Sequence, residues 1–233
     1  MVVGPDGKLP LPWIEPSLRQ ALSQQRGHAL LLRAAPGVGA LQWLLVLAQG
    51  WLCEAGEGAQ RPCGRCGSCH LVQSGSHPDL HVLLPQAQRA LLGWNADDGG
   101  GEAAAGRKKP SRQIRIDEVR AAIDWVVQSS SRGRAKVLVL HPAEAMNLQA
   151  ASALLKTLEE PPGQARLLLG TADDALLLPT VRSRCQRMQL ASPSTADAAA
   201  WLVQQGVADA PVLLRAAGGA PLEARELAAA GVD

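Results

Sequence analysis

The chain has 233 residues, 47% of them apolar and 19% charged, which is enough for one large domain or two unequal ones around a proper core. A net charge of +2 gives no whole-chain case for nucleic-acid binding, and the absence of Phe and Tyr removes the usual single-strand stacking platform. No apolar run nears 18 residues without charge or Pro, and the N-terminal MVVGPDGKLPLPWIEPSLRQAL lacks the basic-then-apolar order of a signal peptide, so a cytoplasmic location is expected.

In chain order, residues 15–26 predict a first helix with Pro16 near its start, and HALLLRA (28–34) is a continuous apolar run suited to a buried parallel strand. GALQWLLVLAQGWLC (39–53) predicts a helix apolar on all sides. A cysteine-rich loop (53–69) and HLVQSG lead to a second strand, DLHVLLP (79–85). Residues 86–113 read as a loop, and about 93–112, rich in Gly, charge and small side chains, as a mobile one. IRIDEVRAAIDWVVQSS gives a strand-like start and then a helix, with Asp117 as N-cap and Ile116, Val119, Ile123 and Val126/Val127 as its apolar stripe. AKVLVLH (135–141) is a third buried strand, NLQAASALLKTLEEPP (147–162) an amphipathic helix stopped by two prolines, and ARLLLGTA (165–172) a fourth strand. Strands alternating with helices predict an α/β fold, a parallel sheet covered on both faces. After about residue 190 the pattern turns to short Ala/Leu-rich helices. The expected division is therefore an α/β domain over 1–190, with an insertion at 53–69, and a small helical lid domain over 191–233.

Cys53, Cys63, Cys66 and Cys69 are spaced C-x9-C-x2-C-x2-C. Each C-x2-C turn aims two sulfurs at one point, with Gly64 and Gly67 supplying permissive backbone. Four thiolates suit a structural, tetrahedral Zn2+ with no open position, rather than disulfides or a redox pair. His70 is an alternative fourth ligand. Cys185 stands apart and reads as a small buried residue, not a nucleophile.

LLLRAAPGVGALQWLL (30–45) has the layout of a phosphate-binding loop, G-x-x-x-x-G-K-[ST]. Pro36, Gly37 and Gly39 keep its bend. Ala40 occupies the Lys position, Leu41 the hydroxyl position and Ala34 the first Gly position. The third strand ends in LHPAEAMN, where His141 takes the place of a Mg2+-binding Asp and Glu144 remains. Both losses predict a loop that neither holds nor hydrolyses ATP. Alone, APGVGA reads equally as an ordinary strand–helix turn.

SALLKTLEEPP (152–162), LLLGTADD (167–174) and LLPTVRSRC (177–185) follow in order. The series resembles the clamp-loader ATPases of the AAA+ class. With the four-Cys insertion, GSHPDLHVL and the altered loop, it resembles most closely the delta-prime family of bacterial DNA polymerase III, over most of residues 15–230. The gamma/tau subunits share the zinc site and SRC but keep the Lys and the acidic box. The resemblance implies an AAA+ fold with a zinc insertion and a helical lid. It implies partnership with gamma/tau and delta subunits, and with sliding clamp and primer–template DNA through the complex, within the polymerase III holoenzyme. It also implies the role of a non-hydrolysing stator. Arg184, between Ser183 and Cys185, would be a trans arginine finger touching ATP held by the neighbour. Arg182 and Arg187 would support it or face solvent, and Thr171 matches the sensor position. The family's third, collar domain would begin about where this sequence stops. Two other readings compete: an ATPase with an atypical loop, and a free-standing zinc-ribbon nucleic-acid binder. The latter predicts basic or stacking residues beside the cysteines, where only Arg61 and Arg65 occur.

Overall fold

A computed structural model describes residues 1–25, 27–56, 60–92 and 109–231. Its five strands are β1 (Ala29–Ala34), β2 (Leu80–Leu83), β3 (Val137–Leu140), β4 (Arg166–Thr171) and β5 (Gln186–Leu190). They form one sheet in the order β2-β3-β4-β1-β5, with every neighbouring pair parallel. β1 lies inside the sheet, and its leucines divide between two cores: Leu30 and Leu32 face one and Leu31 the other. A strand buried on both faces has no polar side to alternate with, which is why ALLL of β1 and VLVL of β3 read as unbroken apolar runs, with the exposed Arg33 coming only near the end of β1.

One face carries α1 (Glu15–Gln24) and α2 (Ala40–Leu52), joined by Trp43, whose Nε1 donates to Ser17 Oγ at 2.9 Å. The opposite face carries α4 (Ile116–Val127) and α5 (Leu148–Glu159), with the short α6 (Pro179–Arg182) beside α5. The short α3 (Gly67–Gln73) lies within the cysteine segment. After β5 come α7 (Thr195–Gln204), α8 (Ala210–Ala216) and α9 (Pro221–Ala229). Trp201, Leu202, Leu214 and Ala224 of these helices share one hydrophobic core with β1 and α2.

Several local expectations are corrected. β5, QRMQL, was not expected as a strand: it pairs only with β1 at the sheet edge and buries only Leu190 fully. Asp117 is not the N-cap of α4. The helix starts two residues earlier, at Ile116 with Arg115 as N-cap, and Glu118 reaches back to accept from the Arg115 N–H at 2.8 Å. Val127 is 65% exposed, and Ala122 takes its place in the buried stripe. The strand-like start before α4 is a single bridge between Ile114 and Met146. Gln86–Leu92 form a short 3-10 helix instead of open loop. The mobile segment expected at about 93–112 lies, over 93–108, outside the described residues.

Candidate functional site

The cysteine segment folds into a knuckle. The four Sγ atoms of Cys53, Cys63, Cys66 and Cys69 lie within 4.8 Å of one another. Cys63 and Cys69 are 3.9 Å apart, as are Cys53 and Cys66. A tetrahedral Zn2+ with Zn–S bonds of about 2.3 Å requires sulfurs about 3.8 Å apart, so the donor set fits a four-thiolate metal. Backbone amides point at the sulfurs: Glu54 and Cys69 N–H donate to Cys66, Arg65 and Cys66 N–H to Cys63, and Cys63 N–H to Cys53, at 3.4–3.5 Å. Burial works to raise the Cys63 thiol, but the Arg65 and Cys66 amides outweigh it and hold it at about 6. Burial pushes Cys53 and Cys69 upward, the opposite response, and the neighbouring cysteines add to it. His70 is exposed and pairs with Gln73 Oε1, outside the sulfur cluster.

A buried relay ties this knuckle to the sheet. Ser68 Oγ meets His77 Nε2 at 2.9 Å, and His77 Nδ1 accepts from the Asp79 N–H. Asp79 then accepts from the Ser131 and Arg132 amides at 2.8 and 2.9 Å and faces Lys136 Nζ at 3.7 Å. Lys136 caps the Trp125 ring at 4.0 Å. In the sequence the only signal of this relay is a His and an Asp two residues apart before a strand, in GSHPDLHVL.

The loop after β1 turns through Gly37 and Gly39, both at positive φ, and Gly39 starts α2. Protein fills its surroundings. A Cβ on Gly39 would lie 2.2 Å from Leu11 Cδ1, and one on Gly37 2.7 Å from Ala220 Cβ. Trp13 Nε1 donates to Val38 O at 2.8 Å, and the Leu222 N–H to Gly37 O at 3.0 Å. Trp13 in turn meets Trp201 edge-on, centroids 5.3 Å apart. At the neighbouring strand ends, Glu144 Oε1 accepts from the Ala172 N–H, while Glu144 Oε2, His141 Nδ1 and Thr171 Oγ1 are buried without a protein partner among the described residues. Burial holds the His141 imidazole below its ordinary range, against the pull of Glu144.

Arg184 lies at the opposite, amino end of the sheet, just before β5. Its Nε donates to Glu159 Oε1 at 2.7 Å, with Nη2 on the same oxygen, and Nη1 donates to Thr180 O at 2.9 Å. The side chain keeps 31% of its surface exposed. Cys185 is buried, and burial pushes its thiol up to about 12, as suits an inert residue. Arg187 is exposed, and the Arg182 Nε is buried without a partner among the described residues. The structure thus separates the sequence-chosen residues into three places: the knuckle, the strand-end loop and the amino-end arginine.

Among known proteins, the family model described as "DNA polymerase III, delta subunit" matches residues 14–194. The DNA polymerase III subunit delta' of Pseudomonas aeruginosa is 37% identical over 236 residues, covering 95% of this chain and 62% of that protein. The delta' subunit of Escherichia coli K12 is 34% identical over 209 residues, covering 88% and 56%. The chain spans about three-fifths of the length of these relatives. In fold, a gamma subunit-related DNA polymerase III protein of Thermotoga maritima superposes with a TM-score of 0.53 at 22% identity, over 92% of this chain and 58% of that one. No described helix is long and apolar enough to cross a membrane.

Proposed function

We propose a function that proceeds from one premise: this chain belongs to the family of DNA polymerase III delta' subunits. It acts as a clamp-loader subunit that does not hydrolyse ATP and instead serves a neighbour's site in trans. The observation that carries this reading is the loop after β1. It has Ala40 and Leu41 where a cation and a hydroxyl would be needed, and its two glycines are packed against Leu11 and Ala220. Backbone amides at a helix start can hold an anion, but without Lys and a metal ligand they give no grip on the transferred phosphate.

Arg184 is the residue assigned to the neighbour. A guanidinium is permanently charged and planar, and it can brace developing charge on a phosphoryl group. Its partly exposed place at the sheet's edge leaves it open to a second subunit. Residues 1–190 form the α/β domain of this assignment and 191–233 its helical lid, with gamma/tau and delta subunits as partners. Zn2+, held by the four cysteines, would be structural: it would fix the knuckle and supply no chemistry to the reaction.

The test is reconstitution with gamma and delta subunits and measurement of DNA-stimulated ATP hydrolysis. Arg184→Ala should assemble and slow hydrolysis at the one site it faces, where an arginine finger is worth roughly 10³–10⁵-fold. The whole-complex loss should be smaller, Arg184→Lys should restore little, and Arg187→Ala should be milder. An assembled Arg184→Ala loader with wild-type hydrolysis and clamp loading would defeat the reading.

A further inference from the structure

A cleft of about 1360 Å³ opens at the amino ends of β1, β3 and β4. Five arginines line it, Arg19, Arg61, Arg132, Arg134 and Arg166, and among the described residues that line it none is an Asp or Glu. They come from four distant stretches of chain: α1, the cysteine loop, the turn before β3 and the start of β4. Two have carboxylate partners nearby, Arg19 with Glu15 and Arg132 with Glu54. Among the described residues the other three, Arg61, Arg134 and Arg166, have no ion pair. Arg61 is tethered by the Ala55 carbonyl, and Arg166 stacks on Trp51 at 4.6 Å with one buried guanidinium nitrogen that has no acceptor among the described residues. Like charges gathered without counter-charge oppose folding, and a buried unpaired donor costs more than a paired one. Such a group is satisfied by an anionic ligand.

We propose that this cleft binds the phosphate backbone of a single-stranded nucleic acid. The lining selects for phosphate over peptide. Its apolar side chains are few, Leu22, Trp51, Ala135 and Ala165, and Arg166 already covers a face of Trp51, whereas protein partners bind through buried aromatic and aliphatic anchors. Gly133 and Gly163 form part of the wall, both at positive φ with open space where a Cβ would be, so a backbone can approach the chain closely there. The cleft is too large for one phosphate, and guanidinium groups from separate elements suit successive phosphates along a strand. With no free aromatic face, the contact would be insensitive to base sequence. The site is distinct from the loop after β1 at the other end of the sheet, and does not depend on the role given to Arg184.

The test is fluorescence anisotropy of a labelled oligodeoxythymidylate of about 20 nucleotides, a length suited to a backbone-tracking site, with the zinc-loaded chain at low salt. Binding should weaken with salt, with a slope of about −0.7 per phosphate contact. Arg134→Glu and Arg19→Glu, each checked for an unchanged melting curve, should weaken binding about tenfold and flatten that slope. Arg215→Glu, on α8 outside the cleft, makes the same charge change and should leave binding as it was. Having two cleft variants keeps the result decisive if one fails to fold. The proposal is overturned if no binding occurs at low salt, or if Arg215→Glu weakens binding as much as the cleft variants. It is also overturned if polyglutamate of matched charge competes as well as the oligonucleotide, which would mark an acidic protein partner. Displacement by inorganic pyrophosphate at equal phosphate concentration would mark a small-phosphate site and overturn it too.

Discussion

Arg184 is folded back on Glu159, the second residue of the EEPP turn that ends α5 being Glu160 and the first, Glu159, holding the guanidinium by two nitrogens. A residue that serves a neighbour must leave this contact, so the pair sets the resting position of the side chain. Glu159→Gln should leave Arg184 more open to phenylglyoxal, read by mass spectrometry, in the isolated chain. Stability should change by less than about 1 kcal/mol, because exposed ion pairs contribute little. Equal modification rates in the two proteins would show that Glu159 does not hold the side chain.

Metal analysis should find one Zn2+ per chain. Structural zinc contributes about 10–16 kcal/mol in small finger peptides, but here a large sheet folds beside it, so chelation should loosen the knuckle and leave the sheet folded. Cys69→Ser should lose the metal while far-ultraviolet dichroism stays near wild type. Less than about half an equivalent of zinc in carefully purified protein would contradict the assignment.

Asp79 is fully buried and joins two amides to Lys136. Asp79→Ala removes the counter-charge and strands an ammonium in the interior, for a loss of about 3–5 kcal/mol in denaturant unfolding. Asp79→Asn, which can still accept one amide, should lose less.

The legible parts of the fold and site were those with a local signal. β1, β3 and β4 are buried on both faces, so their apolar runs suffice. QRMQL was missed because an edge strand with exposed Gln186, Arg187 and Gln189 shows no such run. The cysteines were legible because a knuckle is built from nearby residues at fixed spacing. The arginine cleft was not: only Arg61 lies beside the cysteines in sequence, and folding brings Arg19, Arg132, Arg134 and Arg166 to it from up to about a hundred residues away. Nor does any motif announce that Leu11 and Ala220 close on the two loop glycines.

Stability should fall in mild acid. His77 and His141 are both held below the ordinary 6.5 by burial, with Asp79 opposing for the first and Gly170 and Glu144 for the second. In the unfolded chain they take up protons near pH 6.5, before the folded protein does. Their contribution is therefore complete above about 6.5 and is lost as pH drops toward the folded values, at up to about 1.4 kcal/mol per pH unit for each group. Denaturant midpoints between about pH 7 and 5.5 should decline, and His141→Gln should flatten part of that decline.

The glycine loop after β1 has one more consequence. Val38 is bonded to Trp13 near the amino terminus and Gly37 to Leu222 at the start of α9, while Trp13 rests on Trp201. Three stretches far apart in sequence meet at a single bend. The sheet and the C-terminal helices should therefore melt as one cooperative unit, with a single calorimetric peak, rather than shedding the helices first.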